Sequence, residues 1–435
     1  MRIASTRNRS QEASFSTAIL DCIPPDGGLY TLYPTGDFRP WLHSMTKTMS
    51  FSAIAALLTQ ILTKNEFSPA VAEAIAHRSL TFSPEIRRLD RSLYLLELFH
   101  GPTGWFRDFG FSYLVSCFEH FLQMRGRNAV IVAVSTGSFA ASMAWAFRGR
   151  KRLRALTLFP AGTMRGFTEE DCVWNGGNLY PVEVDAGRDR CFALADELLH
   201  NQALVEKYSL TVANTTNIGR LLPDMFCYFY AFTRIKNAVH SDIFYAVNAN
   251  NYSAITGGLY AWRLALPVNG FITNCTAELT LDARNQAQVA DAIVPLEKRT
   301  KADPALPSSL ERLEALFKAE PAVLRGLVFP ARVDEGDTEN ACKELFMRYG
   351  VFADMATSRA YASALKRADQ AGAEGDTVIL VAQDHPAHSA DGIRHYCGEA
   401  PEMPERIARQ NEPVEPRRRI GPRVEELERC LREIQ

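Results

Sequence analysis

From about Arg91 the chain settles into a rhythm that few folds can accommodate: strand-length apolar runs alternate with helix-length amphipathic stretches. SLYLLELF is the first run, and Leu114, Cys117, Phe118, Phe121 and Leu122 form one face of a helix after it. NAVIVAV reads as a buried strand, followed by the helix SFAASMAWAF and the strand ALTLF. NLYPVEV is a further strand and DRCFALADELLHNQALVEKY a further helix. The second half continues in kind, with RLLPDMFCYFYAFTRI and GGLYAWRLAL as helices and DIFYAVNAN and GDTVILVAQDH as strands. Such alternation implies βαβ units. The expected class is α/β, with mostly parallel sheets covered on both faces by helices.

The two ends read differently. The first ninety residues hold a turn-rich opening, PPDGGLY (Pro24–Tyr30), and then a helix in which Phe51, Ile54, Leu57, Leu58, Ile61 and Leu62 follow Ser50 as a candidate cap. From Pro401 onward a Pro- and Arg-rich connector, expected to lie beyond the sheet, leads to a short amphipathic helix, VEELERCLREI. Its Arg417–Arg419 run reads as a solvated linker face. The expected division is therefore 1–90, 91–210, 211–400 and 401–435, and 435 residues suffice for several domains with a sizeable core.

Composition removes several classes of function. A formal net charge of -2 does not favour nucleic acid as a partner. No apolar run reaches the ~18 residues that span a bilayer, since AVIVAVSTGSFAASMAWAF is interrupted by Ser135, Thr136, Gly137 and Ser138. The N-terminal MRIASTRNRSQEASF lacks an apolar signal core. Nine dispersed cysteines without a CxxC pair read as reduced thiols, with no disulfide framework and no metal site expected. A cytoplasmic location is the expectation. P-loop, G-x-S-x-G and H-E-x-x-H motifs do not occur.

Eight short segments, the first three forming one N-terminal signature, become informative when read together. STRNR, FSTAIL and PDGGLY come first, followed by LELFHGPTGWFRDFG, LTLFPAGTMRGF, ANTTNIGRLLPDMFCYF, NANNYSAITGGLYAWRLALP and QDHPAH. In order and spacing, over nearly all of residues 1–400, they resemble the threonine synthase family. The resemblance implies a tryptophan-synthase-β-like fold, that of the fold-type II pyridoxal-phosphate enzymes, with a small N-terminal domain over 1–90. It implies a smaller α/β domain over 91–210 and a larger one over 211–400. The family reaction, a lyase step in threonine biosynthesis, converts O-phosphohomoserine and water into threonine and phosphate.

Carried over residue by residue, the resemblance places Arg107 where the family has the lysine that forms a Schiff base with pyridoxal phosphate. A guanidinium does not deprotonate in a protein and is a poor nucleophile, so it supplies neither an aldimine nor a general base. It can offer a planar fork of donors to an anion, or pair with the neighbouring Asp108. In place of the family's T-S-G-D-T-G-S stand Val132, Ala133, Val134 and Ser135, then Thr136, Gly137 and Ser138. The last four, with Asn214 and Asn217, are the substrate-binding positions the resemblance implies. The cofactor's phosphate loop, G-N-F-G-D in the family, aligns with Asn250, Asn251, Tyr252, Ser253 and Ala254, where both glycines are missing. Asn250 is the residue best suited to keep a positive-φ bend, and the alternative is a plain strand-to-helix turn. Gln383 stands at the position that meets the pyridine nitrogen, His388 replaces a lysine, and Ala161 replaces another. Asn214, Asn217 and Arg220 are kept.

These substitutions lead to an expectation and two alternatives. The chain is expected to be threonine synthase-like but degenerate in the standard chemistry, a pseudoenzyme binding a small anionic amino acid or phosphate metabolite through Arg107. The first alternative is an active lyase using a displaced lysine. The second is a non-catalytic scaffold or regulatory partner of an active relative. The oligomeric state is left open.

Overall fold

The computed structural model describes residues 2–33, 36–63, 66–174, 176–289, 299–305, 307–371 and 375–434. The apolar runs form two parallel-rich sheets. One has six strands, in the order Val328–Ala331, Gly270–Asn274, Ile243–Ala246, Thr377–Ala382, Leu93–Glu97 and Glu85–Arg88. All neighbours in it are parallel except the last pair. The other is fully parallel and orders its five strands Arg419–Ile420, Leu179–Val184, Leu153–Pro160, Ala129–Val134 and Leu210–Thr211. Helices cover both, so strands such as Leu93–Glu97 are buried at every position, as an uninterrupted apolar run requires. A small antiparallel sheet of Glu12–Ala13, Arg2–Ser5 and Tyr30–Tyr33 belongs to the N-terminal part.

The helix Arg107–Arg125 positions the rest. The sequence marks one apolar face on it, but the structure buries it almost all round from Asp108 to Phe118, polar Ser112 and Ser116 included. Gly110 makes the tightest contact: a Cβ there would lie 1.6 Å from Arg220 Nη1 and 2.6 Å from the Arg220 carbonyl. The helix ends at Gly126, whose φ of 61° is the left-handed conformation a C-terminal glycine supplies. Near the N-terminus the helix Phe51–Thr63 forms where expected, and Ser50 Oγ accepts from the Ala53 amide at 3.1 Å.

Three expectations need correction. The stretch read as one helix from Asp189 to Tyr208 is two, Arg188–His200 and Gln202–Tyr208. Asn201 breaks it, because its side chain accepts from the Leu204 amide at 3.2 Å and so starts a new helix. The chain after Pro401 does not lie beyond the sheet. Its helix Glu405–Asn411 sits on the 101–104 turn, with Arg406 Nη1 on the Gly101 carbonyl at 2.9 Å and Gln410 Nε2 on that of Thr103 at 3.1 Å. Arg419–Ile420 then joins Leu179–Val184 in parallel, and Val424–Glu433 buries Leu427, Cys430 and Leu431 against the helix Arg188–His200. Nor is Arg417–Arg419 simply a solvated face. Arg418 stacks on Trp174 at 4.4 Å and pairs with Glu433, and Arg419 reaches Glu183 at 3.2 Å. The sheets also cut across the chain segments: Leu93–Glu97 pairs with Thr377–Ala382, whereas the C-terminal strand pairs back to Leu179–Val184.

The Gly110 contact gives a first prediction. Gly110→Ala has to displace a buried guanidinium and a carbonyl, so urea denaturation is expected to show a loss of about 3 kcal/mol or more. A wild-type midpoint for this variant would mean that the helix and Arg220 do not pack as described.

Candidate functional site

The site is assembled where the parallel strands end and the helix Arg107–Arg125 begins, the usual place for a ligand in α/β sheets. The turn before the helix is held by the helix itself. Asp108, buried in its first turn, accepts from the Thr103 amide at 2.8 Å and from the Thr103 hydroxyl at 2.6 Å. Gly101 is required here, since a Cβ would come within 2.5 Å of Asp108 Oδ2. His100 ties the other end of the turn to Glu97, with Nε2 2.8 Å from the carboxylate. Burial pushes Asp108 up from the usual carboxylate range, while its bonds to Thr103 and Ser142 and the charge of Arg107 pull it down. The expected Asp108–Arg107 partnership is therefore indirect, because the carboxylate is engaged by Thr103.

Arg107 is half-buried and oriented by three neighbours. Its Nη1 donates to Ser138 Oγ at 3.2 Å, and its Cζ lies 4.7 Å from the centre of the Trp105 ring. Asp384 opposes its charge from the loop after Thr377–Ala382. Among the described residues its remaining guanidinium donors have no hydrogen-bond partner. Burial pulls Arg107 below its ordinary value, against Asp384 and then Asp108, yet a guanidinium stays charged. Asp384 was quoted in QDHPAH but not singled out, and it accepts from the Phe106 amide at 3.2 Å. Burial raises it. Asp354, pushed up to about 6 by burial and by the charge of Asp384, lies behind it. His388 stacks on Trp105 at 3.7 Å, and its Nε2 sits 3.1 Å from the Thr103 carbonyl. Burial holds His388 down at about 4, so it is neutral at ordinary pH.

The loop before Ser138–Phe147 divides its roles. Ser135 Oγ accepts from the amides of Gly137 and Ala140 at 3.0 and 2.9 Å, which secures the helix start. Gly137 has φ 126° and packs on Arg165, whose Nε donates to the Thr136 carbonyl. A cavity of about 210 Å³ opens beside this loop, and its polar lining comprises Arg107, Ser135, Thr136, Ser138, Arg188 and Asn214. Asn214 is held there by a bond from its Nδ2 to the Pro304 carbonyl at 2.7 Å. Asn217 is not at the cavity: it is fully buried, bonding the carbonyls of Ile19 and Val212 and the Gly219 amide. Its expected substrate contact is thus replaced by a structural one.

The expected phosphate loop lies elsewhere, and none of its residues lines that cavity. Asn250 does bend with φ 35°, and Tyr252 bends as well with φ 64°, which the sequence reading did not foresee. Three amides of the loop are taken internally. That of Asn250 goes to Asn248 Oδ1 at 3.0 Å, that of Tyr252 to the Ala249 carbonyl at 2.7 Å, and that of Ser253 to Asn251 Oδ1 at 3.3 Å. Asn250 Nδ2 donates to Gln383 Oε1 at 3.3 Å, and Asn251 Nδ2 to Thr215 Oγ1 at 3.1 Å. Ser253 starts the helix Ser253–Arg263, so the glycines at 257 and 258 fall inside that helix. A Cβ there would press on Asp224 and Phe271. A larger cavity of about 730 Å³, reached by Arg125, Arg127 and Lys301, shares only Leu199 with that at Arg107 and holds none of the candidate residues.

Comparison with known proteins identifies the lineage. A family model described as the threonine synthase N terminus matches residues 2–80. Threonine synthase of Haemophilus influenzae is 26% identical over 416 residues, covering 95% of both chains, and that of Escherichia coli is 25% identical over 411 residues, covering 94% of both. Over nearly its whole length the chain is therefore similar to threonine synthases. The crystal structure of the Escherichia coli enzyme superposes with a TM-score of 0.79 at 22% identity, over the whole of both chains. A pyridoxal-phosphate-bound threonine synthase from Brucella melitensis gives 0.81 at 20% identity, over 100% of this chain and 99% of that one. The fold-type II α/β architecture implied by the sequence is thus the one present. Among the described residues no helix is long and apolar enough to cross a membrane.

One buried pair titrates in a useful range. Arg220 stacks on Phe111 at 4.9 Å, and burial lowers it to about 10, with Asp224 opposing. Burial pushes Asp224 up to about 7, against the charge of Arg220. The folded state therefore holds this proton more tightly than the unfolded chain does. The stability it contributes is complete below about pH 4 and is lost as pH rises through about 7. Melting temperatures from pH 5 to 8 should fall with pH in the wild type and fall less steeply in Asp224→Asn. An unchanged slope in the variant would assign the effect to Asp354 and Asp384.

Proposed function

We propose that this threonine synthase-like protein lacks the family's Schiff-base chemistry and uses the cavity at Arg107 to bind a small anion. The observation that carries the reading is the state of Arg107. One of the five N–H donors of a guanidinium is given to Ser138, and the others have no hydrogen-bond partner among the described residues. Trp105 and Ser138 hold the group in place. A fixed planar fork with open donors recognises a carboxylate or phosphate oxygen pair.

Pyridoxal phosphate is the cofactor that family resemblance points to, and it supplies an electron sink when bound as an aldimine. The residues here do not fit its covalent attachment. Arg107 stands at the position the resemblance gives to the attaching lysine, and a guanidinium forms no ordinary aldimine. The loop that would cradle the phosphate has its Asn250, Tyr252 and Ser253 amides engaged internally. Gln383, at the position of the pyridine partner, accepts from Asn250. No reaction step is assigned through the cofactor.

The displaced-lysine reading has little support. None of the described lysines lines the cavity. Lys236 donates to the Met45 carbonyl at 2.7 Å, Lys207 pairs with Glu428, Lys343 with Glu339 and Lys366 with Asp337. Lys64 and Lys298 lie outside the described residues.

Two measurements test the proposal. Protein incubated with pyridoxal phosphate is expected to show no near-visible band that borohydride fixes to the chain, and to release no phosphate from O-phosphohomoserine. A fixed band mapped to one lysine would restore the lyase reading. Inorganic phosphate is expected to bind about tenfold or more weakly to Arg107→Met than to the wild type, because a hydrogen bond to a charged group is worth about 1.5–3 kcal/mol. Equal binding would remove Arg107 as the anchor.

A further inference from the structure

The lining of the Arg107 cavity narrows the ligand further. Its charged groups are both donors. Arg107 has open N–H groups, and Arg188, exposed and 5.6 Å from the centre of the Phe192 ring, also lines it. Most of the side-chain acceptors are already engaged, with Thr136 the exception: Ser138 Oγ takes Arg107, Ser135 Oγ takes two amides, and Asn214 Oδ1 takes the Thr216 amide at 3.0 Å. Among the described residues no carboxylate side chain lines it. Asp108 and Asp384 face Arg107 from outside the cavity, and burial raises both, which weakens their hold on its charge. The rest of the wall is apolar, with Val132, Val134, Phe139, Phe192 and Leu199.

From this lining we infer that the cavity selects a short aliphatic carboxylate without an amino group. The inference rests on the proposal that Arg107 anchors an anion. An ammonium in this space faces two guanidinium groups and no carboxylate, so it loses its hydration without a partner. A hydrocarbon body gains from the apolar wall instead. The volume of about 210 Å³ has room for about seven water-sized groups at ~30 Å³ each, which suits a chain of four to six carbons. The class differs from the family's substrate, an amino acid carrying a phosphate, in two ways: it has no amine and a smaller body.

Isothermal titration calorimetry on the full chain, with 3-methylbutanoate and L-valine as a matched pair, tests this. The expected result is binding of 3-methylbutanoate, at least about tenfold weaker binding of valine, and loss of affinity in both Arg107→Met and Arg188→Ala. Arg188 is exposed, so its variant remains informative if Arg107→Met fails to fold. Valine binding as tightly as 3-methylbutanoate overturns the ligand class and leaves the anchor standing. So does Arg107-dependent binding of inorganic phosphate with no binding of 3-methylbutanoate. If neither carboxylate nor phosphate binds in an Arg107-dependent way, both the ligand class and the anchor fail.

Discussion

The grip of Asp108 on Thr103 is the constraint on which the site depends. It closes the turn that leads out of the six-stranded sheet and sets the first turn of a helix buried nearly all round over its first three turns. Each bond to a charged carboxylate is worth about 1.5–3 kcal/mol. Together they fix the backbone from which Trp105, Phe106 and Arg107 project. The C-terminal helix Glu405–Asn411 then bonds two carbonyls of the same turn, so a distant part of the chain reinforces it.

Around that turn the charges form a graded set rather than a single ion pair. Arg107 faces Asp384, Asp384 faces Asp354, and Arg220 faces Asp224 a short way along the helix. Burial pushes each of these three carboxyls up and each guanidinium down, with the opposing charges acting against it. The family scaffold is kept by contacts of this kind. Asn217, Arg220 and the glycine at 110 lock neighbouring segments together and do not touch the cavity. Packing roles thus fall on residues other than those that line the cavity.

Much of the fold was legible in the sequence because an apolar run of strand length has few alternatives. Ala129–Val134, Thr377–Ala382 and Ser138–Phe147 fall on the runs that marked them. The misses have local causes. Asn201 offered its side chain as a helix cap inside an otherwise periodic stretch. The strand Arg419–Ile420 carries only two residues and a charged composition, so periodicity could not reveal it. Within the site, Arg107, Ser138 and Asn214, which the motifs singled out, line the cavity. They could not separate Asn217, whose amide is equally suited to a substrate or to the backbone, nor show that Arg188 shares the cavity with Arg107.

The sequence by itself determined the lineage, the α/β class and the absence of a lysine at position 107, because these follow from residue identity and spacing. Only the tertiary structure decided that Asp108 serves Thr103, that Asp384 is the acid facing Arg107, and that the Asn250–Ser253 loop turns its amides inward. Those outcomes depend on which groups meet once the chain is packed, across a tight turn for Asp108 and Thr103 and across most of the chain for Asp384 and Arg107. A donor's identity is written in one residue, but its partner is set by the fold.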